Sequence, residues 1–374
     1  MYHRIPLIML PPRLAALTLG AIALLWLSSH ALPALAVSGD GAGQPAEDHW
    51  LDVGLLIFDP GIPADESTHS KLGIFPEIRK SESKYMPVVL REVLIDSGEW
   101  GVVRVLPEVL ESSELLVTGT ILHSDGQRLK LHITARDASG VEWLSKVYSG
   151  ATKPADYPVV VPGDPYLTVY RQIASDLLAV RRQKNARQLA AIRKVALMRY
   201  ASELAPEAFA SYLTHTPDGE YKLVRLPAVD DPMLARVIRI REQEYRFIDT
   251  VDEQYARLSE EMAPTYHLWR QFGAEQAVFR GDFQRRVSSS RDSRGRRGSF
   301  VALEQTYNAY KLSKIHEQDL DELALGFNNE VAPTVMEVSG TVFKLSGTLD
   351  TQYAEWRDIL RRIFALETGL VPAS

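Results

Sequence analysis

The chain has 374 residues, 45% of them hydrophobic and 24% charged, with 21 Pro, 23 Gly and no Cys. These fractions exclude wholesale disorder and collagen-like repeats. The missing cysteines exclude a disulfide scaffold, a thiolate zinc site, a cysteine nucleophile and a lipid-bearing N-terminal cysteine. The formal net charge of −6 argues against general nucleic-acid binding, which rests on phosphate neutralisation.

Residues 1–36 carry Arg4 and Arg13 and no acidic residue, then the apolar run Leu14–Leu27 and small residues ending Ala34-Leu35-Ala36. That order predicts a secretory signal peptide cleaved after Ala36 and a periplasmic address. The alternative is an inner-membrane anchor over 7–27, because that stretch reaches the ~20 residues needed to span a bilayer. Losing the two arginines moves the net charge from −6 to −8. Residues 37–49 are small and polar and read as a flexible leader.

Order is expected from Trp50. Leu51–Asp59 reads as a buried strand closed by Pro60-Gly61-Ile62-Pro63. Met86, Leu90 and Leu94 stand in one helical column, with Pro87 in the first turn or at a kink and Gly98 as the C-cap. Trp100–Leu106 is a second strand. Leu115–His123, Gln127–Arg136 and Val141–Tyr148 form a meander, and in its middle run Leu129, Leu131, Ile133 and Ala135 alternate with polar residues. Asp125-Gly126 is its hairpin signal.

Asp164-Pro165 opens a helix read as continuous to about Leu204, with Arg181 to Lys194 forming a basic face. Asp231-Pro232 opens another that ends at Pro264, about 32 residues and roughly 48 Å long. A second helix after Pro264, bearing Trp269, Phe272, Phe279, Phe283 and Val287, completes an antiparallel hairpin. Ser288–Ser299 is an Arg-rich loop. A further helix carries Leu303, Tyr307 and Tyr310, and Asp319–Leu325 makes a short turn. Strands over Thr334–Leu349, with Gly340 and Gly347 at turns, lead to a helix capped by Asp350.

The expected class is therefore α+β. An α/β domain over 50–180 has a mixed sheet and meander, and an elongated, coiled-coil-like helical domain over 181–330 carries the Arg-rich loop 285–298. A C-terminal β-β-α segment over 331–374 completes the chain.

Three stretches, Val53-GLLIFD, Leu90-REVLIDSGEWGVVRV and Leu115-LVTGTILHSDGQRLKLHITARDASGVEW, resemble the N-terminal domain of TolB. They are also similar to the related domains of the curli secretion protein CsgG and the activator LpoB. The resemblance covers about residues 50–178 and implies a periplasmic α/β module used for docking and assembly in a bacterial envelope. The chain departs from TolB in having no propeller repeat, from CsgG in having no barrel strands, and from LpoB in having no lipid-bearing cysteine. Met336–Trp356 is faintly similar to half of a BON domain.

No G-x-S-x-G elbow, P-loop, dinucleotide fingerprint or H-E-x-x-H is present, so no catalytic, cofactor or metal residue is assigned and no cofactor is expected. His123 and His132 lie on adjoining strands, and His316, Glu317, Asp319, Asp321 and Glu322 form an acidic cluster; both read more simply as solvated surface. The interaction candidates are Arg285, Arg286, Arg291, Arg294, Arg296 and Arg297, whose guanidinium groups suit carboxylates or phosphates. The expectation is a non-enzymatic envelope docking protein whose partner is another envelope protein, with peptidoglycan or the outer membrane as further candidates. Nucleic acid is not an expected partner, and a homo-oligomer is allowed. The alternatives are a cell-wall hydrolase, or a binder of peptidoglycan or anionic surfaces through the Arg-rich loop.

Overall fold

The computed structural model describes residues 50–69, 74–110, 112–160, 162–289, 331–338 and 340–369. The predicted signal peptide and leader lie outside the described residues, as do the helix at Leu303–Tyr310, the turn at Asp319–Leu325 and the His316–Glu322 cluster. The described part mixes helix and strand as expected.

Strand β1 (Val53–Leu56) leads through helix α1 (Pro76–Asp96) to β2 (Val103–Leu106). Strands β3 (Leu115–Ser124), β4 (Arg128–Asp137) and β5 (Glu142–Ala151) follow as the predicted meander. They form one five-stranded sheet in the order β2-β1-β3-β4-β5. β1 is parallel to both neighbours, with Val53 opposite Val103 and Leu115, and the remaining pairs are antiparallel. Val117, Leu131, Ile133 and Tyr148 are buried, and the inner face packs against α1 and α2 (Leu167–Arg182). The alternating residues Thr118, Thr134, Lys130 and Ser145 turn outward.

The basic stretch is two helices where one is predicted. α2 ends at Arg182, and Asn185 caps α3 (Ala186–Leu204): its side chain accepts from Gln188 N at 3.0 Å while Gln188 accepts from Asn185 N at 2.9 Å. That reciprocal cap supplies the partners that a fresh helix start requires. A helical turn, α4 (Pro206–Phe209), and a small hairpin, β6 (Leu213–His215) with β7 (Tyr221–Leu223), connect to the long helix.

Pro264 does not end that helix. α5 runs from Pro232 to Ser289 without interruption, 58 residues or roughly 87 Å, so the predicted helical hairpin is absent. A proline forfeits one bond to the carbonyl four residues earlier. Here that residue is Glu260, on the exposed side of the helix, and the packing of the flanking turns, with Met262, Ala263 and Tyr266 buried, carries the helix through. Pro87 also sits inside a helix, α1, and not at its first turn. The carbonyl it frees, Ser83 O, accepts from Phe58 N at 2.8 Å, which ties α1 to the end of β1.

β8 (Val331–Val338), β9 (Thr341–Gly347) and α6 (Leu349–Thr368) form the predicted β-β-α unit. Its helix is capped by Thr348, which accepts from Thr351 N, and not by Asp350. Tyr353 and Trp356 of α6 stack on Phe247 of α5 at 6.1 and 5.9 Å, joining the unit to one continuous hydrophobic core.

Candidate functional site

α5 meets the rest of the molecule through buried charge. At its start, Glu244 accepts from Tyr353 Oη at 2.7 Å and pairs with Arg357 at 3.1 Å. Further along, Asp252 accepts from the outward Val105 N of β2 at 2.8 Å and pairs with Arg91 of α1 at 2.9 Å. Burial holds the Asp252 carboxyl up at about 6. Glu114, beside Asp52 and facing Arg241 and Arg193, accepts from Asp52 N at 2.9 Å and is pushed by burial up to about 7.

The deepest of these joints surrounds Arg270, which is fully buried and pairs with Asp164 at 2.7 Å. Its guanidinium lies 4.2 Å from the Tyr266 ring and 5.0 Å from that of Tyr166. Glu82 of α1 accepts from Tyr266 Oη at 2.6 Å and Ser124 Oγ at 2.5 Å. Neighbouring His267 is lowered by burial to about 4, with the Arg270 charge adding to the effect. The β3–β4 turn seats directly on the helix: Gly126 has φ +81, and a methyl there would come within 2.1 Å of Arg270 O. Only glycine permits both that conformation and that approach.

These groups fasten the fold. Among the described residues, the outer face of the meander and a cleft at the end of β1 stay open to solvent. On the face, Leu122 and Val147 are 50% and 51% exposed, and His132 Nε2 lies 3.0 Å from Ser145 Oγ. No carboxylate is paired with that imidazole among the described residues, and the pair sits on an open sheet surface without a cavity to position a substrate.

The cleft, of about 520 Å³, is lined by Leu56, Phe58 and Asp59 at the end of β1, Glu108 and Val109 after β2, Thr118 and Thr120 of β3, and Lys84 of α1. It lies at the carboxyl ends of parallel strands where the chain leaves β1 to one side and returns on the other, the position at which open α/β sheets receive ligands. Ser83 and Phe58 of its lining are tied together through the carbonyl that Pro87 frees, Ser83 O accepting from Phe58 N. Lys84 is 9% exposed; burial lowers its pKa, opposed by the charge of Asp350.

Of the predicted interaction residues, Arg285 and Arg286 fall in the last turns of α5 and not in a loop; Arg291, Arg294, Arg296 and Arg297 lie outside the described residues. The first part of the basic helix face is used internally, by loop and strand groups. Arg181 and Arg182 both reach Glu99 at 2.8 Å, and Lys184 lies over Trp143. His123 and His132 take separate partners, Asp125 and Ser145. Trp269 is core, packed against Phe75 and Tyr266.

Sequence reasoning missed the cleft residues. The usable signals were the acid at the end of the β1 run and a proline within a helical column, which announces a carbonyl free for another partner. Among the described residues no group of acidic and histidine side chains is arranged to hold a metal ion, and no helix is long and apolar enough to cross a membrane. No protein-family model, curated protein or solved structure matches the chain.

Proposed function

We propose that this protein is a non-catalytic docking or assembly component of a bacterial cell envelope that works by binding another protein. The observation that carries the reading is how its ionisable groups are divided. The side chains of Glu82, Glu114, Asp164, Glu244, Asp252 and Arg270 are buried in joints that tie α5 to the sheet, to α1, to α6 and to the segment before α2, where a general acid or base would have to reach solvent and substrate. The outward surface is a sheet face of Thr, Ser, His and Lys on which Leu122 and Val147 stand exposed, open to a partner. The likeness of residues 50–178 to envelope docking modules points the same way. A photo-crosslinker placed in turn at Val147, Leu122 and Val109 in intact cells tests it. A discrete adduct with one partner is expected from at least one position; no adduct from any of them removes the reading.

One observation favours a second reading, a cell-wall hydrolase: two carboxylates, Asp59 and Glu108, line the same cleft, and glycosidases work with such a pair. Muropeptide release by the purified protein that disappears in Asp59→Asn would establish it in place of docking.

A further inference from the structure

The cleft at the ends of β1 and β2 has a definite chemistry. Its volume, about 520 Å³, falls within the roughly 300–1,000 Å³ of ligand clefts. Its main chain is already engaged: Ile57 N donates to Leu106 O, Asp59 N to Gly119 O, and Ile121 N to Asp59 O. At the end of β1 a ligand therefore meets side chains and not free strand donors. Leu56 and Val109, the latter 41% exposed, offer apolar contact, and Thr118 and Thr120 offer hydroxyls.

The charge of the cleft sets the sign of its ligand. Asp59 accepts from Gly61 N at 2.8 Å, and among the described residues neither it nor Glu108 makes an ion pair. Among the described residues of the lining the one cation is Lys84, which is sunk in the wall and faces the Asp350 charge. An anion entering would meet two carboxylates that no described residue pairs; a cation would meet its complement.

We propose that this cleft binds an extended peptide segment of a partner protein carrying a Lys or Arg side chain, which Asp59 and Glu108 recognise. The proposal rests on the docking reading and names its site and the partner's chemistry. It is tested with two fluorescein-labelled nonapeptides, identical except for Lys or Glu at the central positions, added to the full chain and followed by anisotropy. The Lys peptide should bind saturably and weaken with salt, and the Glu peptide should bind about ten-fold more weakly or not at all. Asp59→Asn with Glu108→Gln should weaken the Lys peptide by about ten-fold, whereas Val229→Glu, fully exposed in the segment before α5, should leave it unchanged. The inference is overturned by equal binding of both peptides, by an unaffected double variant, by no binding, or by spermidine competing as well as the unlabelled Lys peptide. The cellular crosslinks separate this inference from the reading beneath it. Adducts at Val109 support the cleft. Adducts at Val147 or Leu122 alone keep docking and discard the cleft, and adducts nowhere discard both.

Discussion

The seam along α5 and the outer face of the meander are both rich in polar side chains, and they put them to opposite uses. In the seam, carboxylates and guanidinium groups are removed from water and matched to one another or to backbone, so each fixes a distance between two elements. On the meander face Lys130 stays exposed to solvent and the His132–Ser145 bond joins only neighbouring strands of the same sheet. A buried ion pair adds little net stability because of desolvation, yet losing one partner is costly. The seam therefore determines how α5 sits more than how tightly it is held.

The sharpest way to break this contrast is Arg270→Ala. It leaves Asp164 buried without its partner and should cost about 3–5 kcal/mol in chemical denaturation. Pairing Arg270→Met with Asp164→Asn should recover part of that loss. A cost no larger than that of a surface change would mean the seam does not organise the molecule.

The seam should also impose a pH dependence that the outer face lacks. Glu114 and Asp252 have folded values of about 7 and about 6 against ordinary values of 4.5 and 3.8. In those windows the folded chain holds protons that the unfolded chain has released. Their contribution is thus complete at low pH and is lost as pH rises through the folded values. His267 acts in reverse. It is lowered from 6.5 to about 4, so stability falls as pH drops through that range. Glu114→Gln should flatten the decline between about pH 5 and about pH 8 by up to about 3 kcal/mol. Urea titrations at both ends of that range check it, and an unchanged slope refutes the assignment.

Gly126→Ala should cost about 1–3 kcal/mol from backbone strain alone. It should also raise hydrogen exchange in the β3–β4 turn, since the methyl would lift that turn from Arg270 O. Asn185→Ala removes the cap that separates α2 from α3 and should lower stability by about 1 kcal/mol. Val147→Thr, on the solvated face, should stay within about 0.5 kcal/mol of the parent and supplies the baseline for the others.

Where a local signal sufficed, the sequence was readable. The strict alternation from Leu129 to Ala135 and the Asp125-Gly126 turn placed the meander, and Asp231 capped α5 as expected, accepting from Met233 N at 2.8 Å. Errors arose where a local rule met a tertiary partner. Pro264 read as a break, and Pro87 as a first-turn residue or a kink, because the loss of a helical bond is visible in sequence, while the packing around α5 and the bond from Phe58 N to Ser83 O are not. Asn185 was overlooked because the apolar spacing carries across it, although Gln188 three residues on completes a capping box. The cleft drew its lining from β1, α1, β2 and β3, and no spacing within any one of them indicates that they converge.

One consequence follows from Asp252 receiving Val105 N. A margin strand with open donors is a template for a neighbouring chain, and at β2 the long helix takes one of those donors for itself. A foreign strand arriving at that margin would have to displace Asp252 before it could pair with Val105.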